Sequence, residues 1–133
     1  MKVLIDTNVL ISAVLFPNST PYLAFVKAVS SPNHGFICEQ NIDELRRIFN
    51  RKFPSHVQAL ESFLAVSFLT LEVIPMPVES ASSESQIRDP KDRPILRAAI
   101  ASDVDIILTG DKDFLEANLH KPIAMTPKDF LNI

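Results

Sequence analysis

Four acids stand where a parallel α/β sheet would bring them to one rim: Asp6, Glu44, Asp92 and Asp111. Asp6 ends the apolar run over residues 2–5. Glu44 falls one turn into the helix expected after a second strand, Asp92 opens the helix after a third, and Asp111 follows a fourth. Open parallel sheets bind ligands beyond the carboxyl ends of their strands, where the chain order reverses. Two carboxylates ~5 Å apart repel by roughly 3 kcal/mol at an effective dielectric of about 20, a large part of a domain's net stability of ~5–15 kcal/mol. A divalent cation, or proton uptake by one of the acids, must relieve that repulsion. An all-oxygen ligand set favours Mg²⁺ or Mn²⁺ over zinc or copper. His34, His56 and His120 show no zinc-binding spacing with Cys38.

Taken singly, each acid has a plainer use. Asp6 can cap the helix that follows it, although Thr7 and Asn8 suggest a hydrogen-bonded shell around a carboxylate at the end of a buried strand. Glu44 shares a helical stripe with Arg47 and Arg51, beside the apolar set Ile42, Leu45, Ile48 and Phe49. It is either half of an exposed ion pair or a metal ligand at the core's edge, with the arginines reaching phosphate. Asp92 suits the N-cap before Arg93 and Pro94, where one oxygen can cap while the other binds metal. Asp89, followed by Pro90, reads as a turn residue. Behind Gly110, Asp111 is the better ligand because it is nearer the strand, and Asp113 is the alternative. Lys91, Arg93 and Lys112 neighbour the acids and either contact substrate phosphates or offset the acidic rim.

The elements that position these residues follow from apolar patterning and punctuation. Short apolar runs at 2–5, 35–38, 71–74, 105–109 and 123–125 read as strands buried on both faces of a parallel sheet. Helices are expected from Asp6 through Leu15, from a Thr20 cap with Pro21 at the first position to about Ser30, over 39–51, from near Ser55, over 95–101, and after Thr126 and Pro127. Residues 75–91, with three prolines and four serines, read as a long loop delivering the chain to Asp92. Strands alternating with helices imply right-handed crossovers, hence a three-layer α/β/α architecture around a five-stranded parallel sheet, in one domain over residues 1–133. An apolar content of 47% with 22% charged residues is the ordinary globular mix. A net charge of −3 argues against a whole-surface nucleic-acid binder, so any such role must use local patches or metal. No stretch approaches the ~20 apolar residues of a membrane helix, and the lone Cys38 fits a core position in a cytoplasmic protein.

The motifs at 5–10 (Ile-Asp-Thr-Asn-Val-Leu), 43–47 (Asp-Glu-Leu-Arg-Arg), 89–96 (Asp-Pro-Lys-Asp-Arg-Pro-Ile-Leu) and 109–113 (Thr-Gly-Asp-Lys-Asp) resemble, in order and spacing, the PIN domain. The ending Met-Thr-Pro-Lys-Asp-Phe-Leu is similar to PIN proteins that serve as toxins of prokaryotic toxin–antitoxin pairs. The resemblance implies a metal-dependent ribonuclease, often a homodimer, restrained by a small antitoxin. It places the family's acids on Asp6, Glu44, Asp92 and Asp111 and its supporting polar positions on Asn8, Thr7 and Thr109. The expected function is therefore hydrolysis of single-stranded RNA with Mg²⁺ or Mn²⁺. A haloacid-dehalogenase-like phosphatase would need a second Asp where Asn8 stands, and a receiver-like domain a phosphoacceptor Asp where Ile74 and Pro75 stand. A non-catalytic RNA- or protein-binding module is the remaining alternative. The apolar helix over 57–71 offers either a dimer surface or ordinary core contacts.

Overall fold

A computed structural model describes residues 1–78, 84 and 86–133. The part of the expected 75–91 loop at 79–83 and 85 lies outside the described residues. Five strands, β1 (Lys2–Ile5), β2 (His34–Cys38), β3 (Glu72–Ile74), β4 (Ile106–Leu108) and β5 (Ile123–Met125), form one all-parallel sheet in the order β3-β2-β1-β4-β5. The central strand is therefore the first. The chain builds outward from it to β2 and β3 on one side and to β4 and β5 on the other, so the order reverses between β1 and β4. That crevice is where a parallel sheet takes its ligand.

The helices are α1 (Thr7–Leu15), α2 (Thr20–Val29), α3 (Glu39–Lys52), α4 (Val57–Ser67), α5 (Arg93–Ala101), α6 (Lys112–Leu115) and α7 (Pro127–Leu131), with a 3-10 turn at Pro54–His56. Alternate side chains of the strands feed two cores. Val3, Ile5, Ile37, Ile106 and Leu108 join Leu10, Phe25, Leu45, Phe49, Leu60, Leu64 and Phe130 on one face. Leu4, Phe36, Cys38, Ile74 and Ile107 join Leu96, Ala99 and Phe114 on the other. The three-layer arrangement follows, and Cys38 is the buried core residue expected of it. No single described helix is long and apolar enough to cross a membrane.

Local departures from the expected elements have local causes. Ser19, not Thr20, caps α2, its side chain accepting from Tyr22 N–H at 3.4 Å, so the helix begins one residue earlier relative to Pro21. The apolar helix expected over 57–71 ends at Ser67, and a turn tightened by Thr70 Oγ1 donating to the Ser67 carbonyl redirects the chain into β3. The strand expected over 105–109 is confined to Ile106–Leu108: the Asp105 carboxylate instead accepts Lys2 N–H at 2.8 Å, and Thr109 turns its side chain into the site.

Gly35 lets α2 lie directly on β2. A Cβ there would meet Val29 Cγ1 at 2.8 Å and Leu71 Cδ2 at 3.0 Å. Gly35→Ala is expected to lower stability by about 1–2 kcal/mol through overpacking, measured by urea denaturation. Unchanged stability would show that Val29 and Leu71 give way freely.

Candidate metal centre

Asp6 leaves the central strand at the reversal point and is 8% exposed. Its backbone N–H donates to the Leu108 carbonyl at 3.0 Å, which ties the end of β1 to the end of β4. One carboxylate oxygen accepts Thr7 N–H at 2.8 Å, the capping role expected of it. The other accepts the Thr109 hydroxyl at 2.8 Å and Asn8 Nδ2 at 3.4 Å. Thr109 is fully buried and works in two directions, since its Oγ1 also accepts Asp111 N–H at 3.0 Å. Asn8 closes a second bridge, its Oδ1 accepting Gly110 N–H at 3.2 Å. The three supporting polar residues Thr7, Asn8 and Thr109 thus surround Asp6, and two of them fasten it to the segment carrying Asp111. Gly110 has ordinary backbone angles, and an added Cβ would meet only Asn8 Oδ1 at 4.0 Å.

Electrostatics link all four acids. Burial holds Asp6 up at about 6, against the hydrogen bonds from Thr109 and Thr7, and the charges of Asp111 and Glu44 push the same way as burial. Burial also lifts Asp92 to about 7, with the neighbouring Asp111 carboxyl and the charges of Asp6 and Asp89 pushing the same way. A cation, or proton uptake by one of the acids, relieves that repulsion. Among the described residues, no ion pair reaches Asp6, Glu44, Asp92 or Asp111. Oxygen-only donors with no internal counter-cation are what Mg²⁺ or Mn²⁺ requires.

Two readings from the sequence change here. Asp92 occupies the N-cap position of α5, but its side chain caps nothing and turns to the other acids. Asp89 does hold a turn, accepting Lys91 N–H at 3.0 Å, and is also more than a turn residue. One oxygen from each of Asp89, Asp92 and Asp113 lies within 4.8 Å of the others, a trio able to hold a cation. Asp92 belongs to both groupings. Asp113 is otherwise engaged, its Oδ1 receiving Arg88 Nε at 2.9 Å and Arg88 Nη2 as well. Asp111 also caps α6, a short helix absent from the expected elements, by accepting Asp113 N–H at 2.9 Å.

Beside the acids opens a cleft of about 530 Å³ walled by Gln40, Glu44, Arg47, Ile48, Arg51, Asp89, Lys91, Asp92 and Pro94. Three of the five cations named from sequence, Arg47, Arg51 and Lys91, line it. Arg93 instead donates its Nε to the Ile87 carbonyl at 3.0 Å, and neither it nor exposed Lys112 lines the cleft. Gln40, which sequence reasoning passed over, does, and its position four residues before Glu44 was the available signal.

A parallel α/β sheet with an acidic rim at its reversal point, a trio of carboxylates able to hold a cation, and a cleft lined by three cations and three carboxylates defines a class of acidic-rim α/β domains. The PIN domain model matches residues 2–113, and the chain belongs to the PIN domain family. VapBC2 from Rickettsia felis, bound to a DNA fragment from its promoter, superposes with a TM-score of 0.70 at 18% identity, covering 95% of this chain and 98% of that one. FitAcB from Neisseria gonorrhoeae gives 0.65 at 21% identity over 95% and 98% of the two chains. VapC20 from Mycobacterium tuberculosis, a sarcin-ricin loop cleaving toxin, gives 0.59 at 14% identity over 90% and 97%. These are likenesses of fold. No curated protein matches the sequence.

The raised acids make a signed prediction. A carboxyl held above its ordinary 3.8 stabilises the fold relative to the deprotonated state below about pH 4. That contribution is lost as pH rises through about 6 for Asp6 and about 7 for Asp92. In chelator at pH 7.5, Asp6→Asn is expected to be more stable than wild type by about 1–3 kcal/mol, with the difference shrinking as pH falls from 6 towards 4. Thermal denaturation across that range checks it, and a variant less stable than wild type at neutral pH would contradict the repulsion described.

Proposed function

We propose that the chain is a single nuclease domain over residues 1–133 that hydrolyses single-stranded RNA with Mg²⁺ or Mn²⁺, as the toxin of a toxin–antitoxin pair acting in the cytoplasm. What supports this reading is that the charges of Asp111 and Glu44 act on Asp6 and those of Asp111 and Asp6 on Asp92, beside a cleft that Arg47, Arg51 and Lys91 help to line.

Asp6, Glu44, Asp92 and Asp111, with Asp113 and Asp89 as further candidates, would hold one or two ions. Such ions supply activation of water for in-line attack and stabilisation of the leaving oxygen. The chain's own residues do the rest. Thr109 and Asn8 fix the Asp6 carboxylate against the segment of Asp111. Arg47 and Arg51, one turn apart on α3, present cations to a phosphate backbone, and Lys91 faces them from the loop before α5. Single strands fit because phosphate contacts along a groove, without a duplex-sized surface, suffice to hold them.

The toxin reading is supported by the fold shared with VapC20 and with the VapBC2 and FitAcB structures. A second, apolar cleft of about 660 Å³ between α1, α2 and α4 leaves Val66 69% and Leu69 83% exposed beside Phe63. Exposed apolar surface of this extent suits a protein partner, an antitoxin or a second copy of the chain. Light scattering that returns a monomeric mass would remove the homodimer.

Asp6→Asn and Asp92→Asn are each expected to reduce Mn²⁺-dependent cleavage of a single-stranded RNA by at least about 100-fold. Cleavage at the wild-type rate by either would sink the mechanism. The double variant Arg47→Ala/Arg51→Ala is expected to raise KM more than it lowers kcat. It should also flatten the salt dependence of RNA binding by about 0.7 in log–log slope per cation removed, which filter binding at several salt concentrations measures.

A further inference from the structure

Among the described residues, the buried side-chain atoms without a hydrogen-bond partner are Thr7 Oγ1, Gln40 Oε1 and both polar atoms of Asn41. Unpaired polar atoms are rare in protein interiors and call for an explanation one by one. These all fall beside two of the four acids. Thr7 follows Asp6 at the start of α1, Asn41 and Gln40 stand three and four residues before Glu44 in the first turn of α3, and α1 packs on α3. Asn41 is 0% exposed and Thr7 4% exposed. The Asn41 side chain shares the inward stripe of Leu45 and Phe49, at the end of the core nearest the rim.

Side chains on a helix lean towards its N-terminus, so the Glu44 carboxylate leans back over the turn that carries Asn41. The unpaired groups are complementary in kind. Thr7 offers a hydroxyl proton, Asn41 an acceptor and a donor, and Glu44 a carboxylate that receives no hydrogen bond from the described residues.

We propose that Thr7 and Asn41 form a polar relay beneath the acidic rim. In it Thr7 Oγ1 donates to Asn41 Oδ1, and Asn41 Nδ2 donates to the Glu44 carboxylate, directly or through one buried water, when Glu44 turns in to hold a cation. The relay rests on the reading of Glu44 as a ligand. Asn41 touches neither cation nor RNA, so it is a positioning residue, and it joins the start of the Asp6 helix to the ligand on α3. Its carboxamide also explains why a polar side chain tops an otherwise apolar stripe.

The test is calorimetric titration of Mn²⁺ into wild type, Asn41→Leu, Glu44→Gln and the double variant, with melting of each apo form. Leu has the branching and heavy-atom count of Asn and removes both unpaired atoms, so the apo protein is expected to melt no lower than wild type. Its Mn²⁺ affinity is expected to fall about ten-fold, with no further loss when Asn41→Leu is added to Glu44→Gln. Thr7→Val, also isosteric, should weaken affinity in the same direction and carries the test if Asn41→Leu folds poorly. Wild-type affinity in both Asn41→Leu and Thr7→Val, or an equal loss that persists in the Glu44→Gln background, overturns the relay. Wild-type affinity in Glu44→Gln itself overturns the assignment of Glu44, and with it the premise, which separates the two failures.

Discussion

The constraint on which the molecule turns is a carboxylate buried at the end of its central strand. Asp6 would be far easier to keep at a sheet edge or on a solvated helix, yet the strand order places it between the α3 side, which brings Glu44, and the β4 side, which brings Asp111. Only the central strand has acids available from both flanks. The hydrogen bonds from Thr109 and Thr7 pull against the desolvation of this charge without cancelling it, since the carboxyl still stands well above its ordinary value. Preorganised donors hold the carboxylate in one orientation, and the residual repulsion leaves it short of positive charge. A rim built this way is poised for a cation in a way that an ordinary ion-paired Asp is not.

Asn8 shows how finely the arrangement depends on charge. Its amide donates to Asp6 while its carbonyl accepts from Gly110 N–H, so one neutral side chain fastens two strand ends. A carboxylate there would lose the donor and add a further negative charge. The same logic distinguishes the acids on the loop side. Arg88 pairs with Asp113, whereas among the described residues no cation pairs with Asp92 or Asp111. Asp92 and Asp111 therefore gain most from a cation, and Asp113 must first give up a strong pair.

The strands were legible in sequence because their signals are local: short β-branched and leucine-rich runs bounded by polar or turn residues, the first of them ending at Asp6. What escaped was the direction of side chains. Asp92 has every local reason to cap α5, and tertiary proximity to Asp111 overrides it. Arg93 lies beside Asp92 in sequence but is drawn to the Ile87 carbonyl across the loop. Patterning alone reads Thr109 as the last residue of a strand; the resemblance marked it as a supporting polar residue, and the parallel alignment of Ile5 with Leu108 gives the physical reason, placing its hydroxyl next to Asp6. The short α6 was missed because four residues carry no periodicity, although Asp111 two residues before Asp113 is a capping signal that was present. Asn41 was invisible as a functional residue for the opposite reason: it occupies a core stripe position, where pattern reading expects only volume.

Helix α3 concentrates the consequences. Its arginines are sorted by phase: Arg46 turns to Glu61 on α4, with Nε 2.9 Å from the carboxylate, while Arg47 and Arg51 face the cleft without an ion pair among the described residues. The exposed pair on one side adds little stability, but it keeps a third cation away from the acids. The net charge of −3 is thus misleading as a guide to nucleic acid. What a phosphate would meet locally is two arginines and a lysine, on the same wall as the carboxylates Glu44, Asp89 and Asp92. The carboxylates would repel that phosphate at short range, so basic cleft and acidic rim are compatible only if the rim is neutralised. The two halves of the site are therefore coupled: whatever cation quiets the acids also completes the surface on which a phosphodiester can lie.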